Sequence, residues 1–273
     1  MVDTEYVTVR GVDVPAIGFG TARMTGEECV EAVASALDVG YRHVDTAQMY
    51  DNEEAVGRAI RESDYPREDV FLTTKLHPSN LARDDVLDSF HGSLERLDAD
   101  YVDLLLIHAP RDYVPVEETL GAMNELRERG EVRNVGVSNF SVSELAEAME
   151  ASEAPILTNQ VEYHPYRSQD ELLAFCIEND VMLTAYSPLD VGDLAGDDAL
   201  ADLGERHGKT PAQVALRWLI QQDHVSAIPK ASSREHQLEN VEIFDFELSD
   251  DEMERIFDAR GGLTDRVRSL LGF

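Results

Sequence analysis

Lysine is almost missing from this sequence. Of 23 basic residues only Lys75, Lys209 and Lys230 are lysine, and the others are arginine. Basic residues are themselves scarce, 23 against 55 acidic, for a net charge of −32. A surface this negative repels phosphate, which excludes nucleic-acid and anionic-membrane binding as functions. The acidic residues are spread along the chain, as in LDADYVD, GDDALADLGE and SDDEMERIFD, and form no separate tail. Self-repulsion of this size destabilises a compact state at low salt. At ~1 M salt the Debye length falls to about 3 Å and the repulsion nearly vanishes. The composition therefore predicts a halophilic protein, working in a very salty cell interior, whose melting temperature rises with KCl. An acidic partner-binding surface is the alternative.

Cysteine is also rare. Cys29 and Cys176 are far apart and have no CxxC spacing, so neither a disulfide framework nor a thiolate metal site is expected. No His/Cys/Asp cluster has metal-ligand spacing, and no metal is predicted. No run of about eighteen apolar residues exists, so no transmembrane helix is expected. The first residues, MVDTEYVTVR, lack both a basic and an apolar leader region. A cytoplasmic protein is predicted. At 273 residues and 43% hydrophobic content, the chain is expected to form one domain over 1–273 with a sizeable core.

What the sequence does contain is a rhythm. YVTVRG and VPAIGF read as a short hairpin or an entering strand. TGEECVEAVASALDVG then follows helical spacing through Val30, Val33, Ala34 and Leu37. Strand-like runs recur at 41–46, 69–75, 101–108, 132–139, 156–162, 181–187 and 224–230. Their continuous apolar or β-branched cores suit strands covered on both faces. Ser141 with Glu144, Ser249 with Glu252, and Thr210 with Pro211 and Gln213 mark helix starts. With a strand near Ile17–Gly20, the count reaches eight βα units. That predicts a (β/α)8 TIM barrel with a short N-terminal β-hairpin; a doubly wound sheet is the alternative architecture.

Polar residues interrupt these strands at their C-terminal ends. Asp45 ends the second and Lys75 the third, His108 ends the fourth and Ser138-Asn139 the fifth. Gln160 and Tyr186 fall late in the sixth and seventh, and Lys230 ends the eighth. In a barrel all these ends meet at the face where active sites are built. Tyr50 follows Asp45 by five positions. An unperturbed phenol has a pKa of roughly 10. A buried Lys75 ammonium, held charged by Asp45, would lower it and make Tyr50 a usable acid. His108 would hydrogen-bond and orient the same substrate oxygen. One acid, one orienting donor and an external hydride suffice to reduce a carbonyl. Ser138, Asn139 and Gln160 suit a carboxamide, Tyr186 offers a flat face, and Lys230 with Ser232 and Ser233 offers an anion site. The two serines equally suit capping of the next helix.

These residues carry a resemblance. GFGTA (18–22), HVDTAQMYDNEEAVGRAI (43–60), TTKL (73–76), LLLIHAP (104–110), VGVSNF (135–140), NQVEYHP (159–165), AYSPL (185–189) and IPKASSREHQLEN (228–240) are similar to the aldo-keto reductase superfamily over nearly the whole chain. The likeness is to short prokaryotic members of the aldose and 2,5-diketogluconate reductase type. It implies that Tyr50 is the proton donor, with Asp45, Lys75 and His108 completing a tetrad. It implies a cofactor site of Gly20, Thr21, Ser138, Asn139, Gln160, Tyr186, Ser187, Leu189, Ile228, Lys230, Ser232, Ser233, His236, Glu239 and Asn240. Many members carry tryptophan where this chain has Ala22, His77 and Ala109. With His108 these positions imply a wider, more polar substrate pocket, suited to small polyhydroxylated aldehydes, keto sugars or keto acids. Ala231 and His236 replace a usual serine and arginine. Lys230 still implies NADPH as the cofactor, these two replacements weaken the preference so that NADH is also expected to work, and the chain length implies a brief C-terminal loop. A small-molecule carbonyl substrate and a monomer are expected.

Other readings differ in testable ways. GFGTAR lacks the last glycine of a dinucleotide-binding loop and reads as a tight strand–turn. His43 is expected near the barrel bottom or flank, His164 and Trp218 in the core. One rival function is a nicotinamide-binding sensor or regulatory subunit with little turnover, against which the intact tetrad argues. Another is a Schiff-base aldolase through Lys75, which borohydride trapping would label.

Overall fold

The chain opens with a hairpin because Arg10 and Gly11 both take positive φ, 53° and 77°, as a tight two-residue turn between twisted strands requires. In this computed structural model, which describes residues 4–189 and 198–259, strand β1 (Tyr6–Val9) pairs antiparallel with β2 (Val12–Pro15). An eight-stranded parallel sheet follows: β3 (Phe19–Gly20), β4 (His43–Asp45), β5 (Phe71–Leu76), β6 (Val102–Ile107), β7 (Val132–Ser138), β8 (Ile156–Glu162), β9 (Met182–Tyr186) and β10 (Val225–Ile228), neighbours in chain order. Main-chain bonds close the ring between its first and last strands. Gly18 N donates to Ala227 O at 2.8 Å, Ala227 N to Ala16 O at 2.9 Å and Gly20 N to Pro229 O at 3.1 Å. The result is a (β/α)8 barrel, as the rhythm predicts. Gly20 permits that closure, since a Cβ there would meet Ile228 O at 2.8 Å.

Helices α1 (Gly26–Val39), α2 (Glu53–Arg61), α3 (Arg83–Leu97), α4 (Val116–Glu128), α5 (Val142–Ala151) and α6 (Asp170–Glu178) each separate two barrel strands. Helices α7 (Asp198–His207) and α8 (Pro211–Ile220) lie between β9 and β10, and α9 (Arg234–Val241) and α10 (Asp250–Ala259) follow. Both capping boxes form in full, Ser141 with Glu144 on α5 and Thr210 with Gln213 on α8. Ser249 and Glu252 bond reciprocally before α10. The main core lies between the ring and its helices, with Trp218 of α8 fully buried against Tyr163 and Phe257. No helix among the described residues is long and apolar enough to cross a membrane. The brief C-terminal loop expected beyond Ala259 lies outside the described residues.

Inside the ring the side chains fall into levels. At the floor, Val9 and Val14 of the hairpin form one buried cluster with Leu104, Leu106, Leu157 and Met182. Most polar groups in the interior satisfy one another, as buried polar groups do, although His43 Nδ1 has no partner among the described residues. Thr158 and Thr184 hydroxyls meet at 2.8 Å, Ser226 donates to Thr184 at 3.1 Å, and His43 Nε2 hydrogen-bonds with Thr73 Oγ1 at 3.0 Å. His43 thus lies within the barrel rather than on its flank. Period-two alternation along β4 turns His43 and Asp45 to the same side.

Candidate active site

Two fully buried charges sit at the C-terminal ends of adjacent strands. Asp45 ends β4 and Lys75 is next to last in β5, each 1% exposed. Lys75 Nζ donates to Asp45 Oδ1 at 2.5 Å and to Thr46 O at 2.9 Å. The other carboxylate oxygen, Oδ2, accepts from Gln160 Nε2 at 2.8 Å. Burial alone would discharge the ammonium. Asp45 and then Tyr50, by charge and hydrogen bond, outweigh it and hold Lys75 above the ordinary lysine range. Removing either charge would leave the other buried and uncompensated.

Tyr50 lies on a single 3-10 turn, Gln48–Tyr50, directly after β4. Lys75 Nζ is 5.0 Å from the centre of its ring. The imidazole of His108 stands edge-on to the phenol, ring centres 5.7 Å apart. His108 sits just past β6, where burial first, and then the Lys75 charge, push it down to about 4. It is therefore neutral near pH 7, with one N–H to donate. Its Nδ1 is buried without a hydrogen-bond partner among the described residues. The structure thus brings the whole predicted tetrad to one rim.

Three of the four face a groove of about 730 Å³, while Lys75 lies buried beneath Tyr50 and does not line it. Asp45, Tyr50 and His108 line it, as do Gly20, Ala22, Ser138, Asn139, Gln160, Tyr186, Ser187, Leu189, Ile228 and Lys230. Local backbone explains how several of these reach it. Asn139 and Ser187, one after β7 and one after β9, adopt left-handed φ of 64° and 49°. Such costly conformations for non-glycine residues gather at functional sites. Asn139 Nδ2 donates to His108 O at 2.9 Å, and its Oδ1 accepts from the Tyr186 hydroxyl at 2.9 Å. Ser138 Oγ donates to Gln160 O at 2.8 Å. Gln160 spends its Nε2 on Asp45, and its Oε1 carries no hydrogen bond among the described residues.

Other expected site residues lie outside this lining. Thr21 is fully buried, and its amide and hydroxyl both donate to Asp45 O, at 3.1 and 2.9 Å. His77 is bound to the turn that bears Tyr50 through its amide, which donates to Gln48 Oε1 at 2.7 Å. Ala109, beside His108, is half-buried and does not line the groove. Ser233 accepts from His236 N at 3.3 Å and so caps α9. Ser232 and His236 are exposed near Lys230 in sequence. Glu239 accepts from Thr210 Oγ1 at 2.6 Å, and Asn240 is buried.

Sequence reasoning missed Arg23, Met49, Pro188 and Pro229, which also line the groove. The available signal for Arg23 was charge. Most described cations in this acidic chain have a carboxylate neighbour, as Lys209 has Asp245 at 2.6 Å. Arg23 and Lys230 have no ion-pair partner among the described residues and both face the groove. A nicotinamide dinucleotide fits this donor set, in which the amides of Asn139 and Gln160 line the same groove as Tyr50 and the positive charges of Arg23 and Lys230.

Comparison with known proteins agrees. The profile of the Aldo/keto reductase family matches residues 16–260. The chain is 42% identical over 249 residues to glyoxal reductase of Bacillus subtilis, covering 90% of this chain and 89% of that protein. It is 38% identical over 246 residues to methylglyoxal reductase DkgB of Escherichia coli O157:H7, covering 89% and 92%. The crystal structure of a Bombyx mori aldo-keto reductase in complex with NADP superposes with a TM-score of 0.88 at 32% identity, covering 94% of this chain and 92% of that one.

Proposed function

The chain belongs to the aldo/keto reductase family of oxidoreductases, and on that premise we propose that it reduces small aldehydes and ketones with NADPH, using Tyr50 as the proton donor. The buried Lys75–Asp45 pair beside the phenol carries this reading. When bound, a reduced nicotinamide supplies hydride to the carbonyl carbon. Ser138, Asn139 and Gln160 would hold its carboxamide, with Gln160 Oε1 open to accept, and Tyr186 would flank the ring. Lys230 would take phosphate.

The remaining chemistry belongs to the chain's own residues. As negative charge grows on the carbonyl oxygen, the Tyr50 hydroxyl gives it a proton. The oxyanion left on Tyr50 stands beside the Lys75 ammonium, which is already charged and needs no reorganisation at that moment. His108, neutral through burial, donates its N–H to the same oxygen and fixes its direction. Asp45 keeps Lys75 ionised, and so unsuited to attack a carbonyl as a neutral amine.

The relatives' names suggest the substrate class. Glyoxal and methylglyoxal are small and polar, and Ala22 on the groove wall leaves room for hydrated dicarbonyls, keto sugars or keto acids. A fluorescence titration with NADPH and NADH, followed by methylglyoxal and a panel of keto acids at high KCl, tests the proposal. Binding of NADPH followed by its oxidation on adding methylglyoxal is expected. Binding without oxidation by any carbonyl would contradict it.

A further inference from the structure

Two residues beyond Tyr50 lies an asparagine whose bonds run to every side of the buried charge pair. We propose that Asn52 is a positioning residue for Tyr50 and Lys75, a role that rests on the reductase reading above. Asn52 occupies the N-cap of α2, where asparagine ordinarily turns its oxygen onto an N–H of its own first turn. Here the side chain makes no such bond. It is 2% exposed and points the other way, into the loops at the barrel rim. Nδ2 donates to Thr21 O and to Met24 O, each at 2.9 Å, and Oδ1 accepts from Thr46 Oγ1 at 2.6 Å. Both carbonyl oxygens can only accept, so the amide has one workable orientation. A carboxylate could not replace it there.

Two of these partners, Thr21 and Thr46, lead directly to the tetrad. Thr21 donates twice to the carbonyl of Asp45. Thr46 offers its own carbonyl to Lys75 Nζ at 2.9 Å. Tyr50 is joined to Asn52 through Asp51, which is set in a left-handed conformation at φ 53°. The bonds therefore close a ring, from Asn52 through Thr21, Asp45, Lys75 and Thr46 back to Asn52. The turn bearing Tyr50 hangs from that ring. On the turn's other side, Gln48 accepts from His77 N and donates to Ser93 Oγ at 3.0 Å. Gln48 alone leaves the turn one hinge, and Asn52 removes it. The helix cap is given up in favour of fixing the phenol against the ammonium, and small errors in such placement are costly to rate.

The test uses the full chain with NADPH and methylglyoxal. Asn52→Ala should lower kcat by about 100-fold, while KM and the NADPH Kd stay close to wild type. Thr46→Val removes only the hydroxyl bonded to Asn52 and keeps the carbonyl that Lys75 uses. It should lower kcat by about 10-fold, and Thr46→Ser should restore it. Val14→Ala, in the floor cluster, supplies a variant with a lowered melting temperature and unchanged kcat. If Asn52→Ala fails to fold, the Thr46 pair carries the test. Wild-type kcat in the variants, a fall in kcat that Val14→Ala shares, or no recovery in Thr46→Ser would overturn the positioning role. A wild-type enzyme that binds NADPH but reduces no carbonyl would instead overturn the reductase reading, and this role with it.

Discussion

At the floor of the barrel, Val9 and Val14 meet Leu104, Leu106, Leu157 and Met182, and no charge lies among them. At the rim, the other end of the same ring holds a buried ammonium, a buried carboxylate, an imidazole kept neutral and four non-glycine residues in left-handed backbone, Arg23, Asp51, Asn139 and Ser187. The floor stabilises by removing apolar surface from water, roughly 25 cal/mol per Å². The rim takes on desolvated charge and strained backbone, which stabilise little by themselves and are held by everything around them. One end can therefore lose stability without losing chemistry, while the other loses both together.

Replacing Lys75 by methionine should have the largest effect. It leaves the Asp45 carboxylate buried with Gln160 as its only hydrogen-bonding side-chain partner among the described residues. Stability should fall by about 3–5 kcal/mol in urea unfolding, and carbonyl reduction by at least ~100-fold in an NADPH-oxidation assay. Loss of activity with unchanged stability would mean that the pair is better solvated than its burial implies.

Acid should come next, through the interior histidine between floor and rim. Burial above all, reinforced by Lys75 and opposed by Asp45 and Asp103, pushes His43 down to about 4. Its folded pKa lies below the ordinary value of about 6.5, so the unfolded chain binds more protons between the two. The associated stability is fully present above about pH 6.5 and is lost as pH falls toward 4, on the order of 3 kcal/mol. His108 shifts the same way and adds to the slope. Thermal melts from pH 7 to 4.5 should show a shallower decline for His43→Asn than for wild type. Identical slopes would show that His43 does not contribute.

A smaller effect is expected at the floor. Val14→Ala removes two methyl groups from a fully buried side chain and should cost about 2 kcal/mol, with kcat unchanged. A matching fall in kcat would erase the distinction between the two ends.

How much of this was readable in advance follows from the same division. Strands covered on both faces must be continuously apolar, and the runs around Leu104 to Ile107 and Val135 to Val137 announce them without reference to function. Polar residues such as Lys75 and Gln160 stand out because they break those runs at one end. The capping boxes at Ser141 and Thr210 were legible for a local reason, since donor and acceptor are three residues apart. Loop contributions were not legible. Arg23, Met49 and Pro229 reach the groove through turns that have no periodicity. Asn52 looks like an ordinary helix cap until its bonds to Thr21, Met24 and Thr46 are seen. The family resemblance implies a cofactor role for Thr21, yet it is buried and its hydroxyl turns onto Asp45. His43 could not be placed by sequence alone, because only the register of β4 decides which way it points.

Proton donation by Tyr50 is tested most directly by a single turnover. Enzyme saturated with NADPH is mixed with methylglyoxal, and the decay of NADPH fluorescence is followed for wild type and for Tyr50→Phe, which keeps the ring and removes only the hydroxyl. The expected result is a decay at least ~100-fold slower in the variant, with the NADPH Kd unaltered. Equal decay rates would show that the phenol gives no proton, and that the lysine and aspartate beneath it serve some other end.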